Sequence, residues 1–281
     1  MVNSELSAVL FGLVSAASWG AGDFCGGIAT KRSNAYSVVV VSQFVAFVIL
    51  IFMTLLSAEA MPSFLDMVWG FVGGTSSAIG LVLFYKGLAD GNMGIVSPLT
   101  AVISTFIPVV FGSFLEGLPA GSKLVGFGLA LIAVWFLSRA GMGESFRGRD
   151  IFLPLVAGIL FGLFFVIIDG VSERAVLWPL VSARVASVIV VSIVALVQRK
   201  SILPSKMQLP VIAVTGFFDL GGNVFFALAA RSGRLDIASV VSSLYPGTTV
   251  LLALMILKER LRLWQWIGVG AALLAIALIA L

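Results

Sequence analysis

The sequence predicts an all-α membrane protein of ten transmembrane helices, arranged as two inverted five-helix repeats. Three observations carry this. First, hydrophobic residues make up 60% of the 281 positions and charged residues only 11%, with a mean hydropathy of +1.16. A soluble globular chain is roughly half apolar and about a quarter charged, so the surplus apolar surface needs lipid as its solvent. Second, the apolar residues fall in runs of spanning length. At 1.5 Å per residue, ~20 residues cross ~30 Å of hydrocarbon, and the chain has room for about ten such runs. Third, the chain repeats itself. IASVVSSLYPGTTVLLALMILKE, from Ile237 to Glu259, echoes IVSPLTAVISTFIPVVFGSFLE, from Ile95 to Glu116. Each copy is marked by Ser and Pro and ends in Glu. Each is followed by a short polar turn and a Gly-rich apolar run.

The first repeat, residues 1–140, holds spans near 6–29, 36–57, 66–88, 93–115 and 122–138. Turn chemistry separates them: Lys31 to Asn34, Pro62-Ser63, Asp90-Gly91-Asn92 and Pro119-Ala120-Gly121. A polar linker, GMGESFRGRD, occupies 141–150. The second repeat, 151–281, holds spans near 151–172, 177–197, 208–230, 236–257 and 263–281, with a turn at Ser232-Gly233-Arg234. The runs are continuously apolar, without the two-residue alternation of a membrane barrel, so the spans are helices. No basic segment precedes the first run, and no cleaved signal peptide is read there.

The halves align. Gly74, Gly80 and Gly91 match Gly216, Gly222 and Gly233 at an offset of 142, as do Gly126 and Gly128 with Gly268 and Gly270. Glu116 and Glu259 differ by 143, and LFGL at 10–13 matches LFGL at 160–163. An odd number of helices per repeat makes the second copy insert upside down relative to the first, the plan of secondary transporters. With the N-terminus outside, the inner loops carry twelve Lys and Arg (31, 32, 86, 139, 147, 149, 199, 200, 206, 258, 260 and 262) and the outer loops four (123, 174, 231 and 234). This places both termini away from the cytoplasm.

Composition also excludes. Histidine is absent and Cys25 is the only cysteine, which removes His acid–base catalysis, His/Cys metal sites and an internal disulfide. The pI near 9.5 reflects a net charge of only +4 spread over loops facing anionic lipid, not a nucleic-acid surface. An intramembrane enzyme would need a nucleophile–base set or clustered carboxylates with a metal. No cofactor or metal is expected.

With these features the chain resembles the EamA-type permeases of the drug/metabolite transporter superfamily. The resemblance spans essentially the whole length. It rests on the two five-helix repeats, the Glu that ends each fourth span (Glu116, Glu259), the nearby Pro, and the Gly-rich fifth span. The second copy fits well through Pro246, LKERL at 257–261 and Gly268; the first departs, since neither Pro98 nor Pro108 takes the place of Pro246. The resemblance implies a permease of a bacterial cytoplasmic membrane that exports or exchanges small metabolites, amino acids or drugs without an ATPase. The expected partners are a small-molecule substrate, the bilayer and protons.

Acidic residues inside spans are the first candidates for function, because a charge at the bilayer centre costs ~3 kcal/mol or more unless it is paired or faces water. Asp219, midway along its span, is either a coupling carboxylate, a partner for a substrate amine, or a structural partner of Arg184. Asp169 and Asp23 pose the same choice, with Asp23 nearer the interface. Arg184 either holds a substrate carboxylate or pairs with an Asp. Gln43 falls at the matching place in the first half, at an offset of 141. Trp19 is either a cavity wall or an interfacial anchor, and so are Tyr85 and Tyr245. Ser242, beside Tyr245 and Pro246, and its counterparts Ser97, Thr100 and Ser104 offer hydroxyls for a cavity or simply let helices approach. Asn223 follows Asp219 by one helical turn. Phe161, Phe164 and Phe165 can shape the cavity. Glu116, Glu259 and Pro246 read as structural. The substrate expected of such a set is an amino acid or related amphiphile, with an organic cation as the alternative.

Overall fold

The structure is a computed structural model that describes residues 4–57, 59–90, 93–138, 149–172, 175–257 and 263–280. Among these residues helices are the only regular secondary structure. The first repeat forms α1 (Ser4–Thr30), α2 (Ala35–Ser57), α3 (Phe64–Asp90), α4 (Met93–Glu116) and α5 (Gly121–Ser138). The second forms α6 (Arg149–Ser172), α7 (Leu177–Val197), α8 (Leu209–Ser232), α9 (Leu235–Ser242), α10 (Tyr245–Leu257) and α11 (Leu263–Ala280). Six of them, α1, α2, α3, α6, α7 and α8, are long and apolar enough to cross a membrane, and shorter apolar stretches lie in α4, α5 and α11. The expected linker at 141–150 falls mostly outside the described residues, as does Glu259; the side chains of Ser97 and Glu116 do too.

One expected span differs. The run 236–257 is two helices, α9 and α10, rather than one. Pro246 has no N–H to donate, and its ring crowds the carbonyl four residues back, which weakens the helix at this point. It stops at Ser242 and restarts at Tyr245, where the second position needs no N–H donor. Tight three-residue bonds bridge the break, Leu244 N–H to Val241 O at 3.2 Å and Gly247 N–H to Leu244 O at 2.9 Å.

The repeats are interlocked. α1 packs on α8 as α3 packs on α6, α4 packs on α6 as α1 packs on α9 and α10, and α2 pairs with α7 and α5 with α11. Exchanging the repeats leaves this set of partners unchanged, which is the mark of a pseudo-two-fold axis. The closest contacts obey it residue by residue. A Cβ built on Gly74 would sit 2.3 Å from the Ala183 backbone, and one on Gly216 would sit 2.3 Å from Ser42 O. Gly80 abuts Phe161 as Gly222 abuts Trp19, and Gly162 abuts Ser104 as Gly20 abuts Tyr245. Two hydrogen bonds repeat as well: Thr100 Oγ1 donates to Pro154 O and Ser242 Oγ to Gly12 O, both at 3.4 Å. Gly12 therefore corresponds to Pro154, an offset of 142. The LFGL match at offset 150 is not a structural equivalence. Short strings of Leu, Phe and Gly recur by composition, whereas packing partners set the register.

The outer surface is apolar. Phe44, Val48, Phe52 and Leu55 form an exposed stripe along α2, at the spacing of one helix face. Polar groups hold the bundle ends. Glu59 accepts the backbone N–H groups of Val176, Leu177 and Trp178 at 2.8–3.1 Å, capping α7 where the helix dipole favours an anion. Lys123 pairs with Glu5 at 2.5 Å.

Gly74→Val and Gly216→Val should each destabilise the bundle by about 1–3 kcal/mol through overpacking. The check is the thermal unfolding midpoint in detergent. Gly128→Ala and Gly270→Ala, where an added Cβ meets nothing within 4 Å, should leave it unchanged or slightly raised.

Candidate functional site

The interlocked helices leave a small cavity of about 50 Å³ between α1, α3, α4, α6, α8 and α10. One wall is polar: Trp19 and Asp23 from α1, Asp219 and Asn223 from α8, and Tyr245 at the start of α10. The facing wall is mostly apolar: Leu81 and Phe84 from α3, and Phe161, Phe164 and Phe165 from α6, with Ser77 and Ser104 completing it. These residues are related by the repeat. Trp19 corresponds to Phe161, Asp23 to Phe165, Asp219 to Ser77 and Asn223 to Leu81 at offset 142, and Tyr245 to Ser104 at 141. The cavity therefore lies at the pseudo-symmetry axis. Its two walls are the same positions, occupied by polar residues in one half of each pair and mainly by apolar ones in the other.

The two cavity carboxylates have different surroundings. Asp219 Oδ2 lies 3.0 Å from Arg184 Nη1 and accepts a hydrogen bond from Gln43 Nε2 at 2.9 Å. Arg184 Nη1 also donates to Gln43 Oε1. Asn223 Nδ2 donates to the Asp219 carbonyl at 2.6 Å and to its Oδ1 at 3.3 Å. The side chains of Arg184 and Asp219 are only 4% and 15% exposed. Removing such a pair from water is costly, and mutual neutralisation with added hydrogen bonds is what makes it tolerable. Arg184 Nε and Nη2 are buried and find no hydrogen-bond partner. Asp23 lies in the same cavity, within electrostatic reach of Asp219. Among the described residues none makes a hydrogen bond or ion pair with it. With Asp219 paired to Arg184, Asp23 is the cavity carboxyl group left without such a partner among the described residues.

The other candidates divide. Trp19 lines the cavity: it stacks on Phe165 at 5.4 Å, and Gly222 makes room for its indole. Tyr245 and Ser104 line the cavity, and the Ser104 hydroxyl is given to Ala101 O at 3.1 Å. Gln43 and Arg184 stand behind the wall and reach the cavity only through Asp219. Tyr85 is buried beneath Gly26 outside the wall, and Ser242 is buried against Gly12. Asp169, half-buried near the end of α6, does not line the cavity. Asp23 opens onto the cavity. No group of three or more metal-binding side chains occurs among the described residues.

Comparison with known proteins decides the family. The model of the EamA-like transporter family matches the chain twice, over residues 6–139 and 149–281. The chain belongs to the EamA-like transporter family. It is thus an integral, multi-pass membrane transporter of the drug/metabolite transporter superfamily, a family of transporters and not of enzymes. Among curated proteins it is similar to "Uncharacterized protein MJ1333.1" of Methanocaldococcus jannaschii, with 24% identity over 131 residues. That match spans 47% of this chain and 96% of the relative, so the relative is about the length of one repeat. A solved structure titled "Crystal structure of protein" shares the fold, with a TM-score of 0.80 at 14% identity, over 97% of this chain and 96% of that one.

Sequence reasoning missed Ser77, Leu81 and Phe84. Applying the offset of 142 to Asp219 and Asn223 finds the first two. The size of the cavity also matters for an EamA protein. Pockets that enclose a drug-sized ligand run to ~300–1,000 Å³, and this space is well below that. Substrate entry requires the walls to part.

Arg184→Met should cost the EamA protein about 3–5 kcal/mol of stability, because it leaves Asp219 buried without its cation. Asp219→Asn should cost a similar amount. The double variant should recover most of the loss, read as a double-mutant cycle of unfolding free energies.

Proposed function

We propose that this protein is a secondary transporter that moves a small amphiphile bearing a protonated amine across the membrane by alternating access. The observation that carries this is Asp23, unpaired among the described residues, in a cavity whose facing wall is aromatic. A carboxylate with no partner favours a cation, and Phe84, Phe161, Phe164 and Phe165 suit an apolar body and add quadrupole attraction for a cation. An intramembrane carboxylate that is not neutralised is a functional position by default. One carboxylate cannot hold an amine and a proton together, so amine and proton exchange at Asp23. Ten crossings in two inverted repeats, with α9 and α10 as one broken crossing, agree with the exchanged packing of the halves. An odd number of crossings per half is the plan that lets two gates alternate about a central site. The bias of Lys and Arg supports an orientation with both termini outside.

A second reading has its own observation. The two unpartnered donors of Arg184 suit the carboxylate of an amino acid, held behind Asp219 once the walls part. Proteoliposomes separate the two readings. Phenylethylamine and phenylalanine differ by that carboxylate alone. Amine flux driven uphill by a pH gradient should fall by about tenfold to a hundredfold in Asp23→Asn, the value of a charge-assisted interaction. Amine flux that survives Asp23→Asn removes Asp23 from the mechanism. Flux of phenylalanine in excess of the amine selects the amino-acid reading.

A further inference from the structure

A second, larger cavity of about 510 Å³ opens at one end of the bundle. It lies between the α1–α2 turn, the end of α3, the start of α6 and the α7–α8 connection. Its charged groups are both cations, Lys86 and Lys200. Lys86 is held in place. Its Nζ donates to Tyr36 Oη at 2.5 Å and lies 4.5 Å from the centre of the Tyr36 ring. Tyr36, itself buried, donates its own proton to Gln198 Oε1 at 2.5 Å. The tyrosine hydroxyl is therefore committed as a donor to glutamine and receives lysine as an acceptor. An ammonium carries three donors, of which Tyr36 takes one. No ion pair to Lys86 is made among the described residues. A half-buried cation fixed by a neutral relay, with donors to spare and no anion paired to it among the described residues, is half of an ion pair.

The surroundings add to the charge. Lys31 and Arg32 adjoin the lining residue Ser33 and Arg199 adjoins Lys200, against one acid, Asp90, that adjoins the lining residue Ala89. The neutral donors nearby are largely spent: Thr30 Oγ1 bonds Gly26 O at 2.7 Å and Asn34 Nδ2 bonds Ser201 O at 3.1 Å. The lysines are thus the groups left to bind. Lys acts as a point charge toward phosphate and needs no planar fork. Leu83 and Leu153 give the same cavity an apolar side.

We propose that this cavity is an anion site in which Lys86, positioned by Tyr36, and Lys200 bind a phosphate group. The source is either the headgroup of an anionic lipid or a soluble phosphate. The site is separate from Asp23 and stands whether or not the amine reading holds.

The test is the thermal unfolding midpoint of the full-length protein in neutral detergent. The probes are inorganic phosphate and phosphatidylglycerol, each against phosphatidylcholine as the net-neutral control. The wild type should be stabilised by one probe. Lys86→Gln should remove at least half of that stabilisation, Lys86→Arg should keep most of it, and Lys200→Gln should reduce it. Stabilisation by phosphatidylglycerol but not by phosphate identifies the lipid headgroup; the reverse identifies a soluble ligand. No stabilisation by either probe, or stabilisation that Lys86→Gln and Lys200→Gln leave intact, overturns the proposal. Lys200 is exposed, so its variant carries the test even if Lys86→Gln fails to fold.

Discussion

Backbone-to-backbone approach between the two halves is the constraint on which the rest of the molecule depends. Gly74 lies on Ala183 and Gly216 on Ser42, at distances that exclude even one methyl group. In lipid, helices gain little from hiding apolar surface from one another, so close packing of small residues has to supply the association. Here those contacts bind each half to the other more than to itself. α1 and α3 find their main partners in α8 and α6, across the repeat boundary. Neither half has a complete core of its own. The central cavity is what remains where six interlocked helices cannot close.

The asymmetry of that cavity follows from duplication and divergence. Positions that began as equals now hold Asp23 and Phe165, Asp219 and Ser77, Asn223 and Leu81. The charge that divergence put on one wall is half cancelled by Arg184, which reaches Asp219 from α7 with Gln43 of α2 bridging the two. α2 and α7 are themselves counterparts. The contact between Arg184 and Gln43 thus sits on the axis, while Asp23, unpaired among the described residues, sits to one side of it.

Much of this could be read from residue order. The apolar runs and the glycine offset of 142 marked the helices and their equivalences, because both are periodic properties of a chain in lipid. Pairing of Arg184 with Asp219 was one of the alternatives that the cost of buried charge allowed. Depth and facing were not readable. Asp23 is twenty residues into α1, near its end by count, yet it opens inward because α1 crosses against α8 with its small residues turned to the centre. Tyr85 and Ser242 carry the polar groups expected of a cavity, but glycines at 26 and 12 draw them into helix contacts. The break at Pro246 was visible as a proline, but its consequence, two helices in place of one, depends on whether the freed backbone groups find other partners.

That break has no counterpart. Helix α4 runs unbroken through Pro108, and the residue matching Pro246 at offset 141 is Thr105. Were the repeats identical, trading their conformations would generate a second state of equal energy, and the protein would rest equally on both sides of the membrane. A discontinuity confined to one repeat removes that degeneracy. The two resting orientations then differ in free energy, so half-saturating concentrations measured from opposite faces are unequal. Microscopic reversibility still holds the gradient-free equilibrium at equal concentrations on both sides.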